Sequence, residues 1–168
     1  MAQKTIPSGA RRLAKTDYRN LMRRRIRRIL LICSSYDAYT LEEDGRLEVQ
    51  LNHEYMELNL SNPPSFTRVS SSTEALELLQ GENDFDLVIS MFNVGDLDVF
   101  HFSKQLKALH PEIPFVLLTN FSKDIYRRIE GEDRSAIDYI FSWHGNADLI
   151  LAIVKLIEDR MNADDDIL

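Results

Sequence analysis

Residues 84–98 read DFDLVISMFNVGDLD. The segment FDLVISM is apolar almost throughout and too short for a helix, so it reads as a strand covered on both faces. Beyond Met91 the chain passes into a loop at one edge of a sheet. In an open α/β sheet that edge is where ligands bind. What Met91 does there is the question on which the function turns.

Working outward, short apolar runs alternate with longer periodic ones. RILLIC (28–33) is a first strand of the same buried kind. Thr40 and Glu43 have capping-box spacing, and a helix is expected through LEEDGRLEVQLNHEYMELNL (41–60), bent or interrupted at Gly45. NPPSF (62–66) must end it, because two prolines cannot continue a helix. FTRVS (66–70) is a short second strand; Ser71 and Glu74 repeat the capping-box spacing before the helix TEALELLQG (73–81). VFHFSKQLKALHP (99–111) is an amphipathic helix stopped by Pro111, and PFVLLTN (114–120) is a fourth strand. Ser122 caps the short helix KDIYRRIEG, which ends at Gly131. AIDYIFSW (136–143) is a fifth strand, and ADLILAIVKLIEDRM (147–161) is a long final helix with Asn146 as its cap. The tail NADDDIL is expected to fray.

Five strand–helix alternations imply an α/β fold: a doubly wound, five-stranded parallel sheet with helices on both faces and right-handed crossovers. The expected strand order is 2-1-3-4-5. Its functional edge is made by the loops after the first, third, fourth and fifth strands.

Bulk properties narrow the function. The chain has 168 residues, 44% hydrophobic and 28% charged, which suits one globular domain with a sizeable core. No run approaches the roughly 18 apolar residues of a membrane span. The N-terminal stretch lacks the apolar segment of a secretory signal, so a cytoplasmic protein is expected. One cysteine, Cys33, permits no internal disulfide, and with scattered histidines it makes no metal cluster. His53, His101, His110 and His144 fall on separate elements, as solvent or cap residues. No phosphate-loop, nucleophile-elbow or H-E-x-x-H motif is present, so no enzyme activity and no cofactor are expected.

Charge divides the chain. Residues 1–28 hold ten Lys or Arg against one acid, Asp17, a net of +9; the rest holds ten against twenty-six, −16, which together give −7. The expected division is a basic, partly helical arm (1–27), a domain (28–162) and an acidic tail (163–168). A basic helix suggests nucleic acid or a membrane surface. The alternative is that it folds against the acidic body of its own or a neighbouring subunit. Nucleic acid is disfavoured, since an acidic body repels phosphates.

Taken together, RRILLICSS, FDLVISMFNVGDLD, IPFVLLTN and AIDYIFSW, in this order, resemble the receiver domain of bacterial response regulators from about residue 27 to 161. The resemblance implies a flavodoxin-like receiver fold of two-component signalling, and it sets expectations residue by residue. The family's pair of acids after the first strand is replaced by Cys33 and Ser34. Its phosphorylated aspartate is replaced by Met91, and its lysine after the fifth strand, with the following proline, by Ser142 and Trp143. Thr119 matches the hydroxyl residue that moves towards the phosphate, and Asp138 with Tyr139 matches a common pair.

A thiol, a hydroxyl and a thioether offer no anionic oxygen, whereas Mg²⁺ wants hard oxygen ligands that usually include carboxylates. No neighbouring cation remains to offset charge developing on a phosphoryl group. The expectation is a non-catalytic pseudo-receiver, silent at the usual site, with Met91 and Cys33 filling the place of an acidic cavity. Met91 as plain core packing agrees with this; a redox role for Cys33 is the sharper alternative. Asp37, Asp96 and Asp98 are the acids from which a displaced phosphorylation site would be built.

Function is then expected on the surfaces. The family's face of fourth helix, fifth strand and fifth helix would carry Tyr126, Arg127, Arg128, Tyr139 and Trp143, with Trp143 a better exposed candidate than Tyr139 or Phe141, which are also ordinary core residues. Tyr36–Leu60, longer than the family's first helix, is a second docking candidate. The expected partner is a protein or an effector domain, with a second copy of the chain also a candidate. The chain also resembles receiver-like modules that precede pyruvate, phosphate dikinase or phosphoenolpyruvate synthase-like domains. The alternatives are a phosphorylation-responsive receiver using displaced acids and a DNA-binding regulator using the basic arm.

Overall fold

A computed structural model describes residues 25–34, 49, 52–53, 63–81, 84–92, 98–120, 122–144 and 147–166. The chain divides into two compact units, Ile26–Leu151 and a second formed by Met1–Arg25 with Ala152–Leu168. The first contains the sheet and the whole of the site described below.

Its strands are β1 (Arg28–Ile32), β2 (Ser65–Val69), β3 (Leu87–Met91), β4 (Phe115–Thr119) and β5 (Tyr139–Ser142). They form one parallel sheet in the order β2-β1-β3-β4-β5, the doubly wound order expected from the sequence. Three central strands are buried almost without interruption, which explains their unbroken apolar runs. The edge strands β2 and β5 keep most of their residues half-buried, so they tolerate Thr67, Arg68 and Tyr139.

Four helices follow β2 to β5: α1 (Ser72–Gln80), α2 (Val99–Leu109), α3 (Lys123–Glu130) and α4 (Ala147–Asp166). The helix expected between β1 and β2 lies largely outside the described residues, of which Val49, Asn52 and His53 are helical. Asn146, Asp37, Asp96 and the basic arm up to Arg24 also lie outside them. α4 starts in the first unit, where Ile150 and Leu151 are buried, and ends in the second. It continues to Asp166, so residues 162–166 of the tail expected to fray are helical.

The caps show how local sequence starts these helices. Ser71 accepts the Glu74 N–H at 3.2 Å, the first half of the expected box. The return bond goes to a different donor: Glu74 Oε2 accepts from the N–H of Ser70, not Ser71. Ser122 caps α3 by accepting from Ile125 N–H, and Gly131 closes it with right-handed backbone (φ −80°), so no left-handed glycine is needed there. His110 does more than end α2. Its Nε2 lies 2.6 Å from the Leu79 carbonyl at the end of α1, tying the two helices together.

Two carboxylates fasten the N-terminal edge of the sheet, opposite the site. Asp86 Oδ2 accepts the N–H groups of Arg27 and Arg28, at 2.8 and 3.0 Å. Asp138 Oδ2 accepts Phe115 N–H at 2.7 Å and Lys107 Nζ at 2.6 Å, while the same ammonium donates to the Ile113 carbonyl at 2.7 Å. The Asp138–Tyr139 pair is thus half anchor and half edge strand. Replacing Asp138 with Ala strands a part-buried N–H and an ammonium, and is expected to cost about 1–3 kcal/mol by urea unfolding, with Asp138→Asn costing less.

Candidate functional site at the carboxyl edge of the sheet

The strand register brings the predicted site residues to one edge. Ile32 stands beside Ser90 and Met91 beside Leu118, so Cys33 and Met91 come level one step further along β1 and β3. Thr119 pairs with Ser142 across β4 and β5. Backbone hydrogen bonds run past the strand ends, from Cys33 N–H to the Val69 carbonyl, Phe92 N–H to Leu118 and Trp143 N–H to Thr119.

What gathers there is apolar and closed. Cys33 is 1% exposed and Met91 4%. Phe92, which no motif marks in the sequence, is 8% exposed and meets Phe100 of α2 edge-on, with centroids 6.3 Å apart. It directly follows Met91 and prolongs the apolar run one residue beyond the strand, which was its only signal. The polar members turn to local partners. Ser90 donates to the Met91 carbonyl at 3.0 Å, and Thr119, buried, donates to the Asn120 carbonyl at 3.3 Å. Ser142 Oγ lies 2.9 Å from His144 Nε2 on the exposed side of β5, and Ser34 is half-buried.

Of the acids named for a displaced site, Asp98 is described, and its carboxylate is committed elsewhere. Oδ1 accepts the N–H groups of Phe100 and His101, at 3.1 and 3.2 Å, as the N-cap of α2. Among the described residues no three of His, Cys, Asp and Glu come together as a metal site would require. The carboxyl of Asp133, held below the usual aspartate range chiefly by the Ser135 N–H, then by the Ser135 hydroxyl and Lys104, lies in the loop before β5, away from this edge.

The residues expected to form an interface differ in exposure. Tyr126 is 53% exposed, and Arg127 and Arg128 beside it on α3 are exposed too. Trp143 is half-buried, as Tyr139 and Phe141 are, and Tyr126 is the exposed aromatic of the set. Tyr139 and Phe141, on the same face of β5, are half-buried and stacked, with centroids 6.1 Å apart and 12° between planes. Arg128 also reaches inward, its guanidinium 5.5 Å from the centroid of Phe92.

No protein-family model matches the chain, and no curated protein matches it. Solved structures do. A receiver domain protein, described as CheY-like, from Methanospirillum hungatei superposes with a TM-score of 0.59 at 13% identity, over 83% of this chain and 98% of that one. The fold is that of a response-regulator receiver domain. Two other neighbours show how widely this fold is used. One belongs to a family of streptococcal redox sensors evolved from two-component response regulators, with a TM-score of 0.63 and 18% identity over 84% of this chain. This chain spans 55% of that protein's length. The other is described as an adenylate cyclase from Rhodopirellula baltica, with a TM-score of 0.55 and 15% identity over 83% of this chain and 95% of that one. Identities this low speak for the receiver fold and not for a shared activity. Among the described residues no helix is long and apolar enough to cross a membrane.

Proposed function

We propose that this chain is a pseudo-receiver: a non-catalytic regulatory module of bacterial two-component-type signalling, not phosphorylated at the usual site, that acts through contacts with a protein partner or effector domain. The observation that carries the reading is the burial of Met91, Phe92 and Cys33 at the carboxyl edge of the sheet. A phosphoacceptor site needs an exposed carboxylate, a hydrated divalent cation and a cation to meet the phosphoryl oxygens. Sulfur and an aromatic ring occupy the strand ends instead. The surface proposed for partners is made from α3, where Tyr126 and Arg127 are exposed, and β5, where Tyr139 and Phe141 stack. Aromatic and arginine side chains are the usual anchors of interfaces. A cytoplasmic location and a place ahead of pyruvate, phosphate dikinase-like domains belong to the same proposal and rest on sequence alone.

A redox reading draws on the streptococcal neighbour and on Cys33. A thiol 1% exposed is poorly placed to meet an oxidant, which favours the pseudo-receiver.

The test is amide NMR of the full chain during addition of Mg²⁺ to millimolar concentration and then beryllofluoride, which mimics a bound phosphoryl group. No saturable shifts are expected. Saturable shifts around Thr119, abolished in Asp37→Ala or Asp98→Ala, would establish displaced acids as a phosphorylation site and overturn the reading. The DNA-binding alternative predicts affinity for duplex DNA that falls steeply with salt and is lost when the arm's arginines are neutralised.

A further inference from the structure

α3 is eight residues long, and among them Ile129 is the one fully buried residue. Helices of that length do not persist in water on their own, so its position depends on a few contacts. One comes from the functional edge: Arg128 lies over Phe92, whose ring is held in turn by Phe100 of α2. A guanidinium within about 6 Å of a ring centroid is attracted to the ring face.

We propose that Arg128 and Phe92 form a clasp that holds α3 at the carboxyl end of β3, a fixed contact at an edge that takes no phosphoryl group. This inference rests on the reading of the site as phosphorylation-silent. The clasp joins two features that the sequence keeps apart, the aromatic residue after Met91 and the helix α3, with α2 and β4 between them. It also selects the face that α3 presents. With Arg128 committed to Phe92, Tyr126, about 200° away around the helix, points outward and is 53% exposed. The closed edge and the exposed candidate interface are then two ends of one arrangement.

The test is amide hydrogen exchange of the full chain, read at Tyr126–Gly131 relative to β3 and α2, in Arg128→Gln, Arg128→Lys, Phe92→Leu and the Arg128→Gln/Phe92→Leu double variant. The contact is expected to favour the docked helix by about two- to fivefold. Exchange in α3 should therefore rise by that factor in Arg128→Gln and less in Arg128→Lys. The double variant should loosen α3 no more than the larger single effect, as it must if the two residues act through one contact. Unchanged α3 exchange in Arg128→Gln, or single effects that simply add, would overturn the clasp. The same samples with Mg²⁺ and beryllofluoride separate this proposal from the reading it rests on. Variants that loosen α3 in a chain that also responds to beryllofluoride would uphold the clasp and sink the silent site. A silent chain whose variants leave α3 unchanged would do the reverse.

Discussion

Met91→Asp, which puts the family's carboxyl back at the end of β3, is expected to destabilise the fold by about 3–5 kcal/mol near pH 8 instead of restoring a site. The introduced carboxylate would stand where Met91 is 4% exposed, with Phe92 next in sequence and Cys33 level on the adjacent strand. The guanidinium of Arg128, the cation described near that strand end, is engaged over Phe92. Burial without a partner penalises the charged form, so the folded-state pKa of the new aspartate rises above its unfolded value of about 3.9. A raised pKa fixes the sign. Below the unfolded pKa the group is neutral in both states, and only the lost methionine packing is felt. As pH rises towards the folded pKa, the unfolded chain ionises and the folded one resists, so stability relative to the parent falls and then levels off. Urea unfolding of both proteins from pH 4 to 8 measures the difference. A gap that stays constant across that range, or a variant that gains a Mg²⁺ response without losing stability, would mean that the edge is hydrated and ready for an acid.

The second large effect lies in the core. Phe102 of α2 is 1% exposed and leans on Phe115 of β4, itself fully buried, with centroids 5.8 Å apart and planes tilted by 53°. Phe102→Ala removes the ring from a close-packed site that can collapse only in part, and is expected to cost about 3–5 kcal/mol. Phe102→Leu refills most of the volume but gives up the aromatic pairing, worth about 0.5–1.5 kcal/mol. It should therefore sit much closer to the parent. The measurement is the urea midpoint with unchanged slope; a Leu variant as damaged as the Ala variant would show that ring geometry, not volume, governs this contact. α2 is thus seated at two places, by Phe102 on β4 and by Phe100 on Phe92.

These two positions separate what was written locally from what was not. The runs RILLI, LVISM and FVLLT could be read as buried strands without coordinates, because an uninterrupted apolar segment of five residues can be satisfied only where both faces are covered. Ser71 and Ser122 announced their helices because a capping hydroxyl meets an N–H three residues away. The strand order followed from alternation and the handedness of crossovers. The absence of carboxylates at Cys33, Ser34 and Met91 needed only the residue names.

The fate of the vacated edge depended on side chains brought together from distant elements. Phe92 and Arg128 are 36 positions apart, and nothing in either segment announces that a cation lies over that ring. A loop aspartate is more often a cap than a ligand, and Asp98 is a cap because the fold sets its Oδ1 against two backbone N–H groups. Glu74 reached Ser70 in place of the expected Ser71, because which nearby N–H a flexible carboxylate meets is set by the chain's path into the helix. Periodicity and capping are short-range physics, carried by the sequence itself. The sheet register that lines up Cys33 with Met91, and Thr119 with Ser142, is long-range, and only the folded chain decides it.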